Sequence, residues 1–152
     1  MKFGLSTHLF HNARLTEAHL AAVKAHGFDH VEIFATRSHV DYASDRDTQA
    51  VAGWLRDTGL TPHSIHAPIT NALRNGAWGD VWSTAAADSA RRQIAVAEAS
   101  AAMAFAAAIG AKFVVTHLGV PDGMPPAPTG VLRVSRPPAD MLLTNVRVGR
   151  PA

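Results

Sequence analysis

The chain has 152 residues, 47% hydrophobic and 17% charged, which fits one ordinary domain able to bury a core. It has no cysteine, which excludes a disulfide framework and thiolate chemistry. Through Gly119, ten Lys/Arg balance ten Asp/Glu, so the net +2 belongs to the residues after it; a neutral body argues against a nucleic-acid partner. The sequence shows no apolar run of membrane-spanning length. Met1-Lys2-Phe3-Gly4-Leu5-Ser6 lacks the features of a signal peptide. The expectation is a cytoplasmic protein with no membrane partner.

Residues 2–9 alternate and predict a first strand. Thr16 is a good helix N-cap, with Leu15 and Leu20 spaced to staple the entry. The helix runs to about His26, and Gly27 supplies its stop. Phe28 to Phe34 is the second strand. Asp45 or Asp47 caps a second helix that carries Val51, Trp54 and Leu55 and stops at Gly59. Leu60 to His66 is the third strand, followed by a loop rich in Asn, Gly and Trp to about Trp82. A third helix spans roughly Ser83 to Ile109. Its expected buried face holds Ala87, Ala90, Ile94, Ala97, Ala101, Phe105 and Ala108. Ala111 to Leu118 is the fourth strand.

The order is β-α-β-α-β-α-β, with a glycine stop before strands two, three and four. It predicts an α/β fold with a parallel four-stranded sheet and right-handed crossovers. Seven of the nine prolines fall at or after Pro121, and helical periodicity stops there. The predicted division is therefore 1–120 as the folded domain and 121–152 as an irregular, proline-rich tail.

Strand alternation sorts the side chains into two faces. One collects Phe3, Leu5, Val31, Ile33, Ile65 and Val114; the other collects Gly4, Ser6, His8, Glu32, Ser64, His66, Val115 and His117. An open doubly wound sheet needs two apolar faces. A small, polar second face suits the interior of a (β/α)8 barrel, whose site lies at the C-terminal ends of the strands. Such a barrel takes about 250 residues, so four strands make the N-terminal half of one.

Four strand ends carry chemistry: His8, Glu32, His66 and His117. Neutral imidazole is a good ligand for zinc and related ions, and a carboxylate at a strand end can move a proton. Each has a plain structural alternative. His66 and His117 can hydrogen-bond at the mouth and bind nothing, Glu32 can pair with a neighbouring strand, and His8 can simply line the pocket. His63 has the opposite parity to His66 and falls outside the pocket. His11, His19, His26, His30 and His39 read as solvated, as does the Arg91-Arg92 pair.

Together, Ser6-Thr7-His8-Leu9-Phe10, Gly27-Phe28-Asp29-His30-Val31-Glu32-Ile33-Phe34, His63-Ser64-Ile65-His66-Ala67-Pro68 and Val115-Thr116-His117-Leu118-Gly119 resemble the xylose-isomerase-like barrel superfamily. That group includes sugar phosphate isomerases/epimerases and apurinic-site endonucleases. The resemblance implies metal ligation by His66 and His117, as in the zinc endonuclease branch. It implies a substrate-side, catalytic position for Glu32 and a substrate-binding one for His8. In the isomerase branch the metal is held mainly by carboxylates and a histidine from strands five to eight, which this chain lacks.

The leading expectation is a truncated sugar phosphate isomerase/epimerase-like protein. It would use a divalent metal (zinc, manganese, cobalt or magnesium) in its complete form, act on a small sugar or sugar phosphate, and be inactive as this chain alone. The alternatives are a zinc-dependent apurinic-site endonuclease and a non-catalytic fragment or assembly partner. Self-association through the open sheet edge is expected.

Overall fold

A computed structural model describes residues 3–75 and 77–119. In chain order the elements are β1 (Gly4–Ser6), a 3-10 turn (Thr7–Phe10), α1 (Glu17–Ala25), β2 (His30–Phe34), α2 (Asp45–Thr58), β3 (Thr61–His66), β4 (Leu73–Arg74), β5 (Ala77–Trp78), α3 (Ser89–Ile109) and β6 (Phe113–Val115). The main sheet has the order β1-β2-β3-β6. All of its pairs are parallel. This is the expected four-stranded β-α-β-α-β-α-β arrangement, half of a (β/α)8 barrel. The expected tail, 121–152, and the boundary before it lie outside the described residues.

The caps follow from local chemistry. The Thr16 backbone N–H donates to His19 Nδ1 at 3.2 Å as α1 begins. Ser44, rather than Asp45 or Asp47, is the N-cap of α2 and accepts from the Asp47 N–H; the two aspartates occupy the first turn, where they favour the helix dipole. Asp88 caps α3, so this helix starts six residues later than expected, after a turn through 83–88. Gly110 ends it with φ of 76°, a left-handed conformation that costs a side chain about 1–2 kcal/mol.

One face of the sheet is apolar and fully covered. Val31, Ile33 and Ile65 have no exposed surface. They share a core with Leu20 and Val23 of α1, Val51 and Leu55 of α2, and Ala102, Phe105, Ala106 and Ile109 of α3. Each large aliphatic buried this way contributes about 1.5–3 kcal/mol. The buried face of α3 is Ala95, Ala102, Phe105, Ala106 and Ile109, rotated from the expected one; Ile94 is instead exposed. Alanine on almost every side gives little contrast for a period to register. By length and hydropathy α3 could also cross a membrane, contrary to the sequence expectation, but here it packs on α2, β3 and β6.

The opposite face is concave and polar. Residues of all four strands, or next to them, line one concavity of about 400 Å³: Phe3, Gly4, His30, His63, Lys112 and Phe113. These residues stand at the N-terminal ends of the strands, the end opposite His66 and His117, so His63 turns to this face without entering the mouth. The register slips between Val31 and Glu32, which pair with Pro62 and Ser64 respectively, so His63 is the extra residue of a bulge. Proline, which has no N–H for a ladder, is tolerated there. The His63 ring then packs 4.9 Å from Phe113 and 6.3 Å from His30.

Two tertiary ties hold the loops at the C-terminal ends. Arg37, after β2, makes a two-pronged bond to Glu98 of α3 at 3.0 and 2.9 Å. Tyr42 donates to the same carboxylate at 2.5 Å. The β4–β5 hairpin reaches back across the mouth. Its Leu73 N–H donates to Ser38 Oγ at 3.2 Å and its Asn75 N–H to Asn12 Oδ1 at 2.7 Å.

Candidate active site

His66 is the last residue of β3, and His117 lies two residues beyond β6, its neighbour in the sheet. The parallel pairing carries both imidazoles to the same end. Their Nε2 atoms are 3.1 Å apart. His66 Nδ1 lies 3.1 Å from the Ala67 carbonyl oxygen, an acceptor only, so Nδ1 carries the proton in the neutral ring. Nε2 then holds a lone pair directed at His117, the form in which imidazole ligates metals. Burial pushes the His66 pKa below 6.5; the Glu32 carboxylate opposes this, while His117 adds to it. The neutral ring is therefore favoured at pH 7.

Glu32 stands on the same face of β2. Ser64 of β3 donates its hydroxyl to Glu32 Oε2 at 3.1 Å, and Ser64 is itself buried. The carboxylate is thus held by a neighbouring strand, as the structural alternative required, and still exerts its field on His66.

His8 sits on the 3-10 turn after β1 rather than in the strand. It stacks on His11 at 4.8 Å and meets the edge of Phe34 at 4.5 Å. Phe34 lies in turn 5.5 Å from His66, whose ring is 5.0 Å from His117. Five rings therefore run across the mouth from β1 to β6. Phe34 and His11, the latter expected in solvent, are the members that sequence reasoning missed. For Phe34 the signal was its position as the last residue of a strand, on the same face as Glu32.

His39 is a second correction. It was expected in solvent and is only 1% exposed. Its Nδ1 donates to the Ala13 carbonyl at 2.6 Å, and its Nε2 has no partner among the described residues. Burial lowers its pKa, opposed by that hydrogen bond.

The donors fit a divalent metal in kind but not in number. Catalytic zinc sites use three protein ligands. Among the described residues no group of three or more His, Cys, Asp or Glu side chains is placed to hold an ion. His66 and His117 supply two nitrogens and stop there.

A family model for the xylose isomerase-like TIM barrel matches residues 20–136. The chain belongs to this family. The match takes in Glu32, His66 and His117 and leaves His8 outside. Among curated proteins nothing matches the chain. Membership of the xylose isomerase-like family accounts for the one-sided covering of the sheet: in a closed barrel the concave face is the interior.

Proposed function

We propose that this chain carries the N-terminal half of the active centre of a metal-dependent sugar or sugar phosphate isomerase/epimerase, and that it does not turn over by itself. The observation that carries the reading is the opposed pair of Nε2 atoms at the barrel mouth. A divalent ion, when bound, polarises neighbouring substrate oxygens. His66 and His117 would supply two of its ligands, a set that the described residues leave incomplete. Glu32, held by Ser64, is the candidate base for a proton on the carbon beside the substrate carbonyl. The ring row from His8 to His117 offers an apolar floor for the C–H faces of a sugar.

Phosphodiester hydrolysis at apurinic sites is the second reading, favoured by the same two histidines through the resemblance. The balanced charge of residues 1–119 counts against it. Saturation-transfer NMR with aldose and ketose phosphates, run with manganese or cobalt, separates the two. Sugar phosphate contacts that vanish in His8→Ala and His117→Ala, without isomerisation, are expected. Binding to an apurinic-site duplex that falls steeply with salt, with no sugar contact, would overturn the reading.

A further inference from the structure

We infer that residues 11–16 are a strap beside the mouth, held closed by the neutral imidazoles of His39 and His19 and released by acid. The strap begins at His11, follows the 3-10 turn that carries His8, and leads into α1. It touches the mouth on two sides. The His11 ring stacks on His8 at 4.8 Å, and Asn12 Oδ1 accepts the Asn75 N–H of the β4–β5 hairpin at 2.7 Å.

The strap is tied to the loop after β2. His39 Nδ1–H donates to the Ala13 carbonyl at 2.6 Å. The Leu15 N–H donates to the His39 carbonyl at 2.8 Å, and Arg14 Nη1 to the Arg37 carbonyl at 3.4 Å. His39 is itself fixed from its own side, because the His39 and Val40 N–H groups both donate to the Thr36 carbonyl, at 2.7 and 2.8 Å. The far end of the strap hangs on the second imidazole: the Thr16 N–H donates to His19 Nδ1 at 3.2 Å.

Both rings have to be neutral for these ties. His19 Nδ1 acts as an acceptor, so a proton there removes it. In His39 the proton arrives at Nε2, since Nδ1–H is already engaged. The residue is 1% exposed, and Nε2 has no partner among the described residues; a buried charge without an acceptor is costly. The groups around the ring do not relieve it. His19 of α1, His11 of the strap and His8 of the 3-10 turn each oppose a positive charge there. Asp41 of its own loop is paired with Arg37 at 2.8 Å, and Asp47 of α2 with Arg14. Burial makes His39 harder to protonate than in water, so by linkage its protonation favours the open strap. The charged ring leaves for water and takes the bond to Ala13 with it. Histidine titrates between pH 5 and 8, so the release falls in that range. Once released, the strap withdraws His11 and frees His8 at the β1 end of the ring row, and Asn12 drops the hairpin.

Native-state hydrogen exchange, read by NMR on the 152-residue chain in chelator, tests the strap apart from any metal. Protection factors, which remove the intrinsic pH dependence of exchange, are compared for the Leu15 and Thr16 amides and for the Thr61 amide. Thr61 donates to the Asp29 carbonyl at 2.9 Å, at the opposite end of the sheet. From pH 7 to pH 5, protection at Leu15 and Thr16 should fall roughly tenfold or more, while Thr61 changes by less than about twofold. The NOE between the His8 and Phe34 rings should vanish over the same interval. His39→Asn keeps an N–H donor near the place of Nδ1 without a titrating ring, and His19→Gln gives Thr16 the glutamine of a capping box. In the double variant, protection at Leu15 and Thr16 should be the same at both pH values. Unchanged protection at Leu15 in the wild type, a parallel fall at Thr61, or a fall that persists in the folded double variant would each overturn the inference. The wild-type comparison of Leu15 with Thr61 decides by itself if the double variant does not fold.

Discussion

The Nε2 atoms of His66 and His117 face each other at 3.1 Å across two neighbouring strand ends. At that separation two protonated rings repel, and one proton between them, or a shared ion, satisfies both. The pair belongs to β3 and β6, which are 51 residues apart in sequence at these two positions and are brought together only by the crossover through α3.

Burial sets the direction of the His66 titration, and this pair adds to it. Its burial and the nearby His117 hold its pKa below 6.5 in spite of Glu32. NMR of the imidazole nitrogens should show His66 titrating below 6.5 in the folded protein. In Glu32→Gln, which removes the opposing carboxylate charge, it should move lower still. A midpoint at or above 6.5 in the wild type would contradict the geometry.

His39 should make the fold acid-sensitive. Its folded pKa is lowered, so the unfolded chain binds more protons below 6.5. The stabilisation is fully present above that pH and is lost as the pH falls through the lowered folded value. In His39→Leu the loss of stability on going from pH 7 to 5 should be shallower in urea titrations. The same variant should cost about 1 kcal/mol at pH 7 from the lost bond to Ala13. An unchanged slope would show that His39 is not the group responsible.

The Arg37–Glu98–Tyr42 contact ties the loop after β2 to α3. Arg37 is 35% exposed at its side chain and Glu98 16%, so Arg37 can rehydrate if the carboxylate is removed. Tyr42 is 3% exposed and cannot, and both burial and Glu98 drive its pKa far above the ordinary range. Glu98→Ala should therefore cost about 1–3 kcal/mol, and Tyr42→Phe less. Equal, negligible effects in chemical denaturation would mean the tie is cosmetic.

Two glycines should respond in opposite directions. Gly110 sits at φ of 76° with open space where a Cβ would stand, so Gly110→Ala costs about 1 kcal/mol from backbone strain alone. Gly53 lies inside α2, and an added Cβ meets only the Arg56 side chain at 3.8 Å. Gly53→Ala should stabilise by about 0.5–1 kcal/mol. Thermal melts of the two variants moving the same way would contradict this.

Much of this was legible in the sequence because the relevant signals are local. The glycines at 27, 59 and 110 mark helix ends, and simple alternation assigned Val31, Ile33 and Ile65 to the core and His66 to the mouth. What escaped depends on contacts distant in sequence. The bulge at Val31/Glu32 reverses the parity of His63 only through its pairing with β2. His39 is buried with its Nδ1–H donated to the carbonyl of Ala13, 26 residues away. The β4–β5 hairpin was read as loop because two-residue strands leave no period to detect, and the true face of α3 was hidden by its alanines.

The central claim is that His66 and His117 act together on one ion at the barrel mouth. Calorimetric titration of the purified 152-residue chain with zinc, manganese and cobalt tests it most directly. The account predicts binding that weakens at least tenfold, about 1.4 kcal/mol, in His66→Ala and in His117→Ala alike, with little further loss in the double variant. Binding that is unchanged in both variants, or that depends on only one of the two histidines, would contradict it.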